Sequence, residues 1–291
     1  MTTPAFDDRD GYIWLNGELQ PWRTVTAHVL SHALHYASSV FEGERAYSGN
    51  IFKLQEHTDR LFYSADMLDM TIPFERDVIN EASYGALKAN NIKDGYLRPI
   101  VWRGSEMMGV SAQTTKINVA IASWPWPSYF SPQAQQKGIK LNISKWRRPA
   151  PETSPVFAKA AGLYMICTLS KHAAERDGYD DSLLLDWRGQ VAEATGANIF
   201  FVIDGVIHTP TPDCFLDGIT RRTVIDLARE RGYKIVERAI LPEDMGSADE
   251  CFLTGTAAEV TPVGSIGSYK FTPGTVCQAL AEAYDDVVGK T

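Results

Sequence analysis

The stretch Trp124-Pro125-Trp126-Pro127 limits most strongly how this chain can fold. Proline has no backbone N–H to donate to a neighbouring strand, so prolines at alternate positions cannot lie in the middle of a sheet. The chain has 291 residues, and chains of this length usually fold into more than one domain, each with its own hydrophobic core. The sequence therefore predicts a smaller domain over 1–125, an interdomain linker over 126–136 and a larger domain over 137–291.

Both predicted domains mix helices and strands. The Asn16-Gly17 pair, with strand-forming residues before it, predicts a β-hairpin at the start of the chain. Apolar periodicity predicts helices over 53–70, 77–90, from the Lys159 segment to about 178, 219–231 and 275–288. Strands are predicted over 95–103, 117–124, 182–186, 198–208 (as a hairpin), 250–254 and 260–266. The elements do not alternate as in a βαβ fold, so we predict the α+β class.

Composition excludes several kinds of partner. The net charge of −8 argues against nucleic acid, because phosphate binding needs a clustered basic surface. No apolar run approaches the length of a membrane span, and the first ten residues are polar and acidic. The four cysteines show no paired spacing and are expected to be free thiols. We therefore expect a cytoplasmic protein that binds neither nucleic acid nor a membrane.

Three histidines, His28, His32 and His35, fall at helical spacing and raise the question of a metal site. No carboxylate or thiolate lies among them, so they make a poor ligand set. We expect them to pack or to form hydrogen bonds, and we predict no metal.

Lys159 lies in Val156–Tyr164, among alanines, a glycine and bulky apolar residues. Such neighbours hydrate an ammonium group poorly, and loss of hydration lowers its pKa. A lysine of this kind can act as a nucleophile and form a Schiff base with a carbonyl compound, including pyridoxal phosphate. The alternative is a helix lysine whose amine extends into solvent.

Glu193 is a lone acid among small residues, just before a strongly apolar strand. A buried carboxylate is costly unless a cation or a hydrogen-bond donor meets it. A protonated pyridine nitrogen would satisfy it and would keep a pyridoxal ring electron-accepting. An ion pair with an arginine satisfies it equally well, so both interpretations remain open.

Two downstream segments could bind an anion. Gly218 and Thr220 stand at the start of a predicted helix, where free N–H groups favour a phosphate, and 255–259 forms a second loop of small residues after a strand. Ordinary helix capping is the alternative.

Upstream, Tyr96 and Arg98 share one face of a strand. This face suits a carboxylate, although a surface ion pair is an equal alternative.

Taken together, these segments resemble the fold-type IV pyridoxal-phosphate enzymes, and among them the branched-chain amino acid aminotransferases. The resemblance runs over nearly the whole chain, through Ser31–Tyr36, Val40–Gly43, Glu56–Leu61, Tyr96–Pro99, the Lys159 segment, Gly218–Arg221 and Gly255–Val263. It implies a two-domain α+β fold of the D-amino acid aminotransferase type. It also implies transfer of the amino group of L-leucine, L-isoleucine or L-valine to 2-oxoglutarate by a ping-pong reaction.

The resemblance also implies a cofactor, pyridoxal 5'-phosphate, and a set of site residues. Lys159 would be the catalytic residue, forming the Schiff base and then moving a proton. The cofactor-binding residues would be Arg60, Lys159, Tyr164, Glu193, Leu216, Ile219, Thr220 and Thr256. The substrate-binding residues would be Tyr36, Phe41, Tyr96, Arg98, Val110, Trp126, Tyr129, Ala257 and Ala258. Members of this family complete each site across a homodimer interface, where we expect Val110 and Tyr36 to serve the neighbouring subunit.

Several positions near the expected site depart from the commonest pattern of these aminotransferases. They are Glu44, Ala161, Leu163, Ala197 and Asp217. Because pocket shape and polarity decide specificity by only a few kcal/mol, an alternative remains: a D-amino acid or (R)-amine transaminase, or an aminodeoxychorismate lyase-like enzyme, on the same scaffold. A cofactor-binding protein without activity is disfavoured by Lys159 and Glu193. The sequence predicts no role for Glu44.

Overall fold

The computed structural model describes residues 5–126 and 137–290. The chain divides into two compact units, Met1–Pro127 with Ala158–Gly162, and Ser128–Phe157 with Leu163–Thr291. The Lys159 segment therefore belongs to the first unit, whereas the sequence placed it in the larger, second domain. The physical reason is backbone pairing, because Ala160 forms an antiparallel bridge with Val40. Apart from Trp126, the predicted linker 126–136 lies outside the described residues, and the domain limits stay a prediction.

The first unit is built on a seven-stranded sheet. Its strands are β1 (Tyr12–Leu15), β2 (Glu18–Pro21), β3 (Ser39–Phe41), β4 (Glu44–Tyr47), β5 (Asn50–Ile51), β6 (Gly95–Arg103) and β7 (Ile117–Pro125). Their order is β2-β1-β7-β6-β4-β5, with β3 also paired to β6, and all pairs are antiparallel. Its helices are α1 (His32–Tyr36), α2 (Leu54–Met67) and α3 (Arg76–Ala89), after a short 3-10 helix at Trp22–Thr24.

Helix α2 places one face against the rest of the first unit because its buried residues recur at helical spacing. They include His57, Leu61, Ser64 and Ala65. Helix α2 packs on α3 and β3, and α3 packs on β1 and β7. The α2 residues near Lys159 therefore come from a helix that is fixed by apolar burial.

The second unit is built on a nine-stranded sheet. Its strands are β8 (Ile139–Arg148), β9 (Asp181–Asp186), β10 (Val191–Ala194), β11 (Asn198–Ile203), β12 (Val206–Pro210), β13 (Ile235–Arg238), β14 (Glu250–Gly255), β15 (Glu259–Ile266) and β16 (Tyr269–Lys270). Its α-helices are α4 (Met165–Arg176), α5 (Ile219–Glu230) and α6 (Thr275–Val288), and a 3-10 helix lies at Pro242–Ser247. Another 3-10 helix, Ala161–Tyr164, begins in the first unit and ends in the second.

Six strands of the second unit close into a ring. The order is β10-β9-β8-β15-β14-β11, and β10 pairs again with β11. Parallel pairs (β8 with β9 and with β15, β12 with β13) accompany the antiparallel ones. Apolar side chains such as Leu141, Ile199 and Leu253 form the buried core of this unit. Closure brings Glu193 on β10 opposite Asn198 on β11.

Most predicted elements are found close to their expected limits. The strand 95–103 and the helix 275–288 agree to the residue, and the hairpin turns at Asn16 and Gly17, which both have positive φ. The prediction omitted β3 to β5, β8, β10, β13 and β16. Within 5–126 and 137–290, no helix combines the length and the hydropathy that a membrane span needs.

Candidate active site

Two hydrogen bonds, one from the backbone N–H of Lys159 and one to its backbone carbonyl, hold this residue in place. The Lys159 N–H donates to Ser64 Oγ at 3.0 Å, and the Lys159 carbonyl accepts from the Phe41 N–H at 3.1 Å. The amine Nζ lies 5.1 Å from the centroid of the Phe41 ring. The Lys159 segment is thus joined to β3 through an isolated β-bridge between Ala160 and Val40, and the Lys159 side chain lies near an aromatic face.

The Lys159 side chain is partly buried, and its amine is electrostatically perturbed. Loss of hydration, followed by the charge of Arg60, lowers the pKa of the Lys159 amine to about 8, although Glu42 acts in the opposite direction. This direction is the one predicted for a lysine among apolar residues and not that of an amine in solvent. At neutral pH about a tenth of such an amine is unprotonated.

Glu42 is fully buried and ties the surroundings of Lys159 to helix α2. Arg60 donates to it twice, from Nε to Oε1 and from Nη2 to Oε2, each at 2.7 Å. His57 Nδ1 lies 2.7 Å from Glu42 Oε2. The spacing of His57 and Arg60 along α2 places both on the face that meets Glu42.

The ionisation of this cluster follows from its burial and its bonds. Burial by itself would raise the pKa of Glu42, but the charge and hydrogen bond of Arg60, together with His57, hold that pKa well below its usual value. Burial lowers the pKa of His57 even though Glu42 acts against it. The cluster therefore consists of a carboxylate, a guanidinium and a neutral imidazole.

Tyr96 and Arg98 lie together on one face of β6, as the sequence predicted. Arg98 Nη2 donates to the Tyr96 hydroxyl at 3.3 Å, and the Arg98 guanidinium carbon lies 4.6 Å from the Phe41 ring centroid. Gly43 makes this arrangement fit, because a Cβ atom there would lie 1.9 Å from the Tyr96 hydroxyl. The Trp126 ring adds an apolar wall, with its centroid 5.1 Å from that of Tyr96.

Tyr36 and Val110 lie apart from these residues, on the surface of the same unit. Tyr36 is 45% exposed and stacks on His32, whereas Val110 is 87% exposed. His32 links their segments, because its ring nitrogens lie within hydrogen-bond distance of Ser38 Oγ and of the Gly109 carbonyl. Tyr129, the remaining predicted wall residue, lies outside the described residues.

The other two histidines of the early segment also bond within it. His35 Nε2 lies 3.0 Å from the Val29 carbonyl, and His28 Nδ1 accepts from the Leu30 N–H.

Among the residues described, Asp186, Asp213 and Cys214 do lie close enough together to hold a metal ion. Arg188, however, donates to both carboxylates.

In the second unit, Glu193 meets an arginine. Arg148 Nε lies 3.4 Å from Glu193 Oε1, so the ion pair that the sequence left open is present. Although burial opposes it, the charge of Glu193 raises the pKa of Arg148. Burial, followed by Glu193, raises the pKa of the neighbouring Cys167 thiol to about 11, which keeps it protonated. Arg148 is therefore a cationic partner of Glu193 in this unit.

Asn198 joins the three second-unit segments that the sequence singled out. Its backbone faces Glu193 on one side and Thr254 on the other. Its Nδ2 donates to the Leu216 carbonyl at 3.0 Å. A Cβ atom at Gly218 would lie 2.2 Å from Asn198 Oδ1, so this close approach requires glycine. The segments around Glu193, Leu216 and Thr254 are thereby held by one side chain and its strand.

The start of helix α5 suits an anion. Gly218 precedes the helix in an extended conformation and provides no side-chain cap, and Ile219 and Thr220 are buried at the first turn. Arg221 anchors this turn from below, because it donates to Asp217 and to Glu237 at 2.7 Å each. The first-turn N–H groups and the positive end of the helix dipole favour negative charge there.

The remaining predicted residues of the second unit occupy partly buried positions. Tyr164 lies directly before α4, and Leu216 precedes the start of α5. The Thr256–Ala258 turn joins β14 to β15, and Gly255 passes so close to the Gly196 carbonyl that a Cβ atom would lie 3.2 Å from it. The turn is therefore adjacent to the end of β10.

Comparison with known proteins confirms the family that the sequence motifs predicted. Residues 39–266 match the family model for amino-transferase class IV. This chain belongs to the class IV aminotransferases. A branched-chain-amino-acid aminotransferase from Pseudomonas aeruginosa is 47% identical over 98% of this chain and 95% of its own length.

Solved structures show that this class IV aminotransferase has the fold-type IV architecture, which confirms the fold prediction. The crystal structure of Escherichia coli branched-chain amino acid aminotransferase has a TM-score of 0.93 and 38% identity, covering 97% of this chain and 96% of that one. The PLP-form of the branched-chain amino acid aminotransferase from Thermobaculum terrenum has a TM-score of 0.88 and 32% identity, covering 96% of this chain and 94% of that one.

Four residues that interact with predicted site residues within their own unit were not selected from the sequence: Glu42, His57, Arg148 and Asn198. Glu42 and His57 lie inside motifs that carried the resemblance, and the i, i+3 spacing of His57 and Arg60 was a signal for a shared partner. Arg148 lies in a short basic run, which carried no sign of an inward-facing cation. Asn198 follows Glu193 by five residues and has the sequence of an ordinary strand start.

Proposed function

We propose that this class IV aminotransferase transfers the amino group of L-leucine, L-isoleucine or L-valine to 2-oxoglutarate with pyridoxal 5'-phosphate as its cofactor. The Pseudomonas aeruginosa and Escherichia coli relatives, both branched-chain aminotransferases, support the substrate class. The observation that carries the proposal is the Lys159 amine, whose pKa is lowered to about 8 beside Arg60 and the Tyr96–Arg98 face. The two relatives also favour this assignment over a D-amino acid or (R)-amine transaminase.

The residues assigned to the cofactor fit its chemistry. In the first unit they are Arg60 and Lys159, and in the second they are Tyr164, Glu193, Leu216, Ile219, Thr220 and Thr256. The uncapped start of α5 and the guanidinium of Arg60 suit a phosphate group, and the Glu193 carboxylate suits a protonated ring nitrogen. When bound, pyridoxal phosphate supplies an aldehyde and an electron-accepting ring that stabilises negative charge at an amino-acid α-carbon.

Lys159 would act first as a nucleophile and then as a proton carrier. Its neutral amine attacks a carbonyl carbon, and the lowered pKa provides that neutral form near neutral pH. As a free amine, the Nζ atom would take the proton that leaves the α-carbon of the amino acid, hold it as an ammonium group and donate it back to the reacting molecule. A group with a pKa near the working pH does both steps efficiently. Tyr164 would donate a hydrogen bond to the phenolic oxygen of the cofactor.

The first unit offers both kinds of surface that the two substrates need. Phe41 and Trp126 are apolar walls for an aliphatic side chain, and Arg98 lies against Phe41 as a cation for the second carboxylate of glutamate. We assign Tyr96, Ala257 and Ala258 to the α-carboxylate. We assign Tyr129 to the wall as well.

We further propose a homodimer in which Tyr36 and Val110 serve the partner subunit. Both lie in a group of exposed apolar residues on two neighbouring segments of the first unit: Val29, Leu34, Tyr36, Met108 and Val110. A cavity of about 330 Å³, lined by Leu34, Arg98, Ile100 and Trp102 among others, opens on the same unit. Exposed apolar surface of this extent favours a protein partner, and a second copy would cover it. The Val110→Asp substitution is expected to shift the mass measured by light scattering to that of one chain.

We also propose a cytoplasmic location. The four cysteines, Cys167, Cys214, Cys251 and Cys277, are all buried free thiols. Free thiols persist in reducing compartments. Fractionation of cells with an antibody against the native chain tests this location.

A half-reaction titration tests the activity. The protein is purified with pyridoxal phosphate, and its visible absorbance is followed while L-leucine, D-alanine or (R)-1-phenylethylamine is added separately. L-leucine is expected to bleach the band and 2-oxoglutarate to restore it, with no band in Lys159→Ala. Bleaching by D-alanine or the amine, with little response to L-leucine, would overturn the substrate assignment. Absence of any band in the native protein would overturn the role of Lys159.

A further inference from the structure

Glu42 and Glu44 lie on the same buried face of one strand run. Phe41 is opposite Ile100 and Glu44 is opposite Leu97, and the Glu42 N–H donates to the Pro99 carbonyl, so the register with β6 is continuous. Side chains two residues apart on a strand share a face. The exposed fractions of Glu42 and Glu44 are 0% and 1%. Two carboxyl groups are thus removed from water side by side.

The two carboxyl groups have different partners. Glu42 accepts two hydrogen bonds from Arg60 and contacts His57, which satisfies its negative charge. Glu44 Oε2 has no hydrogen-bond partner among residues 5–126 and 137–290. Adjacent buried carboxyl groups cannot both ionise at low cost. The geometry therefore makes Glu42 the anion and Glu44 the neutral acid of the pair.

The pKa values point in the same directions. Burial, followed by the charge of Glu42, raises the pKa of Glu44 well above its usual range, whereas Arg60 and His57 hold the pKa of Glu42 low. Because Glu44 is uncharged, it does not compete for Arg60. The Glu42 charge thus acts on Arg60 and on Lys159 without a second anion beside it.

We propose that Glu42 is a positioning residue of this aminotransferase: it fixes the plane of the Arg60 guanidinium for an anion and stabilises the protonated form of Lys159, while Glu44 stays neutral beside it. Among the residues that the structure describes, the charged and titratable groups that act on Lys159 include Glu42, Arg60, Tyr96, Arg98 and His57. Only the part that concerns the anion at Arg60 rests on the proposed cofactor assignment.

The proposal predicts two effects of opposite kind when the Glu42 charge is removed. The Lys159 amine loses a stabilising anion, so its pKa falls further below about 8 and it becomes more reactive at lower pH. Arg60 loses the two bonds that orient it, so an anion binds more weakly. A merely structural defect would not raise the reactivity of one lysine while lowering anion affinity.

The test compares Glu42→Gln with Glu44→Gln in the full-length chain freed of pyridoxal phosphate. Acetic anhydride acetylates only neutral amines, and mass spectrometry of the Lys159 peptide gives the rate at each pH. The native midpoint is expected at about 8, a lower midpoint is expected in Glu42→Gln, and Glu44→Gln should match the native chain because one neutral group replaces another. An unchanged or raised midpoint in Glu42→Gln, or an equal fall in Glu44→Gln, would overturn the proposal.

A second measurement examines the anion. Affinities for pyridoxal phosphate and for pyridoxal, which lacks the phosphate, are measured by equilibrium dialysis. Glu42→Gln is expected to lose roughly tenfold for pyridoxal phosphate and little for pyridoxal, since one charge-assisted bond is worth about that factor. Equal losses for both compounds would overturn the positioning role. If the native chain showed no preference for the phosphate compound, the cofactor assignment would fail instead, and the acetylation result would still stand.

Glu42→Asp serves as the conservative variant and keeps the test valid if Glu42→Gln does not fold. It retains the charge but shortens the reach to Arg60. The Lys159 midpoint is therefore expected to stay near that of the native chain, while the preference for pyridoxal phosphate falls. A midpoint lowered by Glu42→Asp, or an unchanged phosphate preference, would contradict the proposal.

Discussion

Arg60 and Glu42 form a two-point ion pair, Nε to Oε1 and Nη2 to Oε2, with both distances at 2.7 Å. The carboxylate is fully buried and the guanidinium side chain is 14% exposed. Such a pair orients both groups, and it makes each of them costly to remove alone. Substitutions in this ion pair and in the residues around it should therefore change stability and binding in measurable ways.

Loss of Arg60 should destabilise the fold as well as weaken anion binding. Arg60→Ala leaves Glu42 buried beside a neutral histidine, and an uncompensated buried charge costs about 3–5 kcal/mol. Urea unfolding at neutral pH measures this cost. Arg60→Lys is the matched control, because it keeps the charge but not the two-point geometry. A change in the free energy of unfolding below about 1 kcal/mol for Arg60→Ala would contradict the buried ion pair.

Glu42 should make the fold sensitive to acid. Its pKa is depressed in the folded chain, so its stabilisation is present above the usual value of 4.5 and is lost as the pH falls toward the folded value. The difference in unfolding free energy between the native chain and Glu42→Gln is expected to shrink on acidification below that value. Chemical denaturation at a series of acidic pH values measures it. A constant difference would mean that the pKa of Glu42 is not lowered in the folded chain.

Glu44 should have the opposite effect on stability. Its pKa is raised in the folded chain, so above 4.5 the unfolded chain loses this proton while the folded chain keeps it, and stability falls with rising pH. Glu44→Gln removes that loss. We expect the variant to gain stability over the native chain progressively as the pH rises above 4.5, as measured by urea unfolding. A gain that does not grow with pH would indicate an ionised Glu44.

Gly43→Ala should damage substrate binding more than folding. The new Cβ atom would lie 1.9 Å from the Tyr96 hydroxyl, so the phenol must leave its position beside Arg98. We expect kcat/KM for L-leucine to fall by about tenfold or more, equivalent to at least 1.4 kcal/mol. Gly85→Ala is the control: a Cβ atom there meets nothing within 4 Å, and alanine favours the α3 helix. Similar kinetics for the two variants would contradict the role of Tyr96.

Gly218→Ala should weaken cofactor retention. A Cβ atom at this position would lie 2.2 Å from Asn198 Oδ1, so the alanine must displace either Asn198 or the start of α5. Dialysis of the loaded protein is expected to release pyridoxal phosphate faster than from the native chain. Gly85→Ala is again the control. A glycine with positive φ, such as Gly232, would not serve, because alanine there would strain the backbone. Unchanged retention would remove the start of α5 from the proposed phosphate site.

Local pattern was sufficient for much of the fold. Strand β6 and helix α6 were predicted with correct limits, because alternation and helical periodicity depend on residues within a few positions of each other. Strands such as β4 and β10 were missed. They are only four residues long, and backbone pairing with other strands, rather than their own sequence pattern, makes them strands.

The sequence by itself determined the family, the α+β class and the lysine whose neighbours exclude water, because these depend on residue types and spacing in continuous segments. Only the tertiary structure decided which distant groups meet. It pairs the Lys159 segment with β3, joins Glu42 to Arg60 and gathers three segments around Asn198. The ionisation of Glu42 and Glu44 also belongs to the tertiary structure. Two glutamates separated by one residue are chemically alike in the chain, and only burial and an arginine from another element make one an anion and the other an acid.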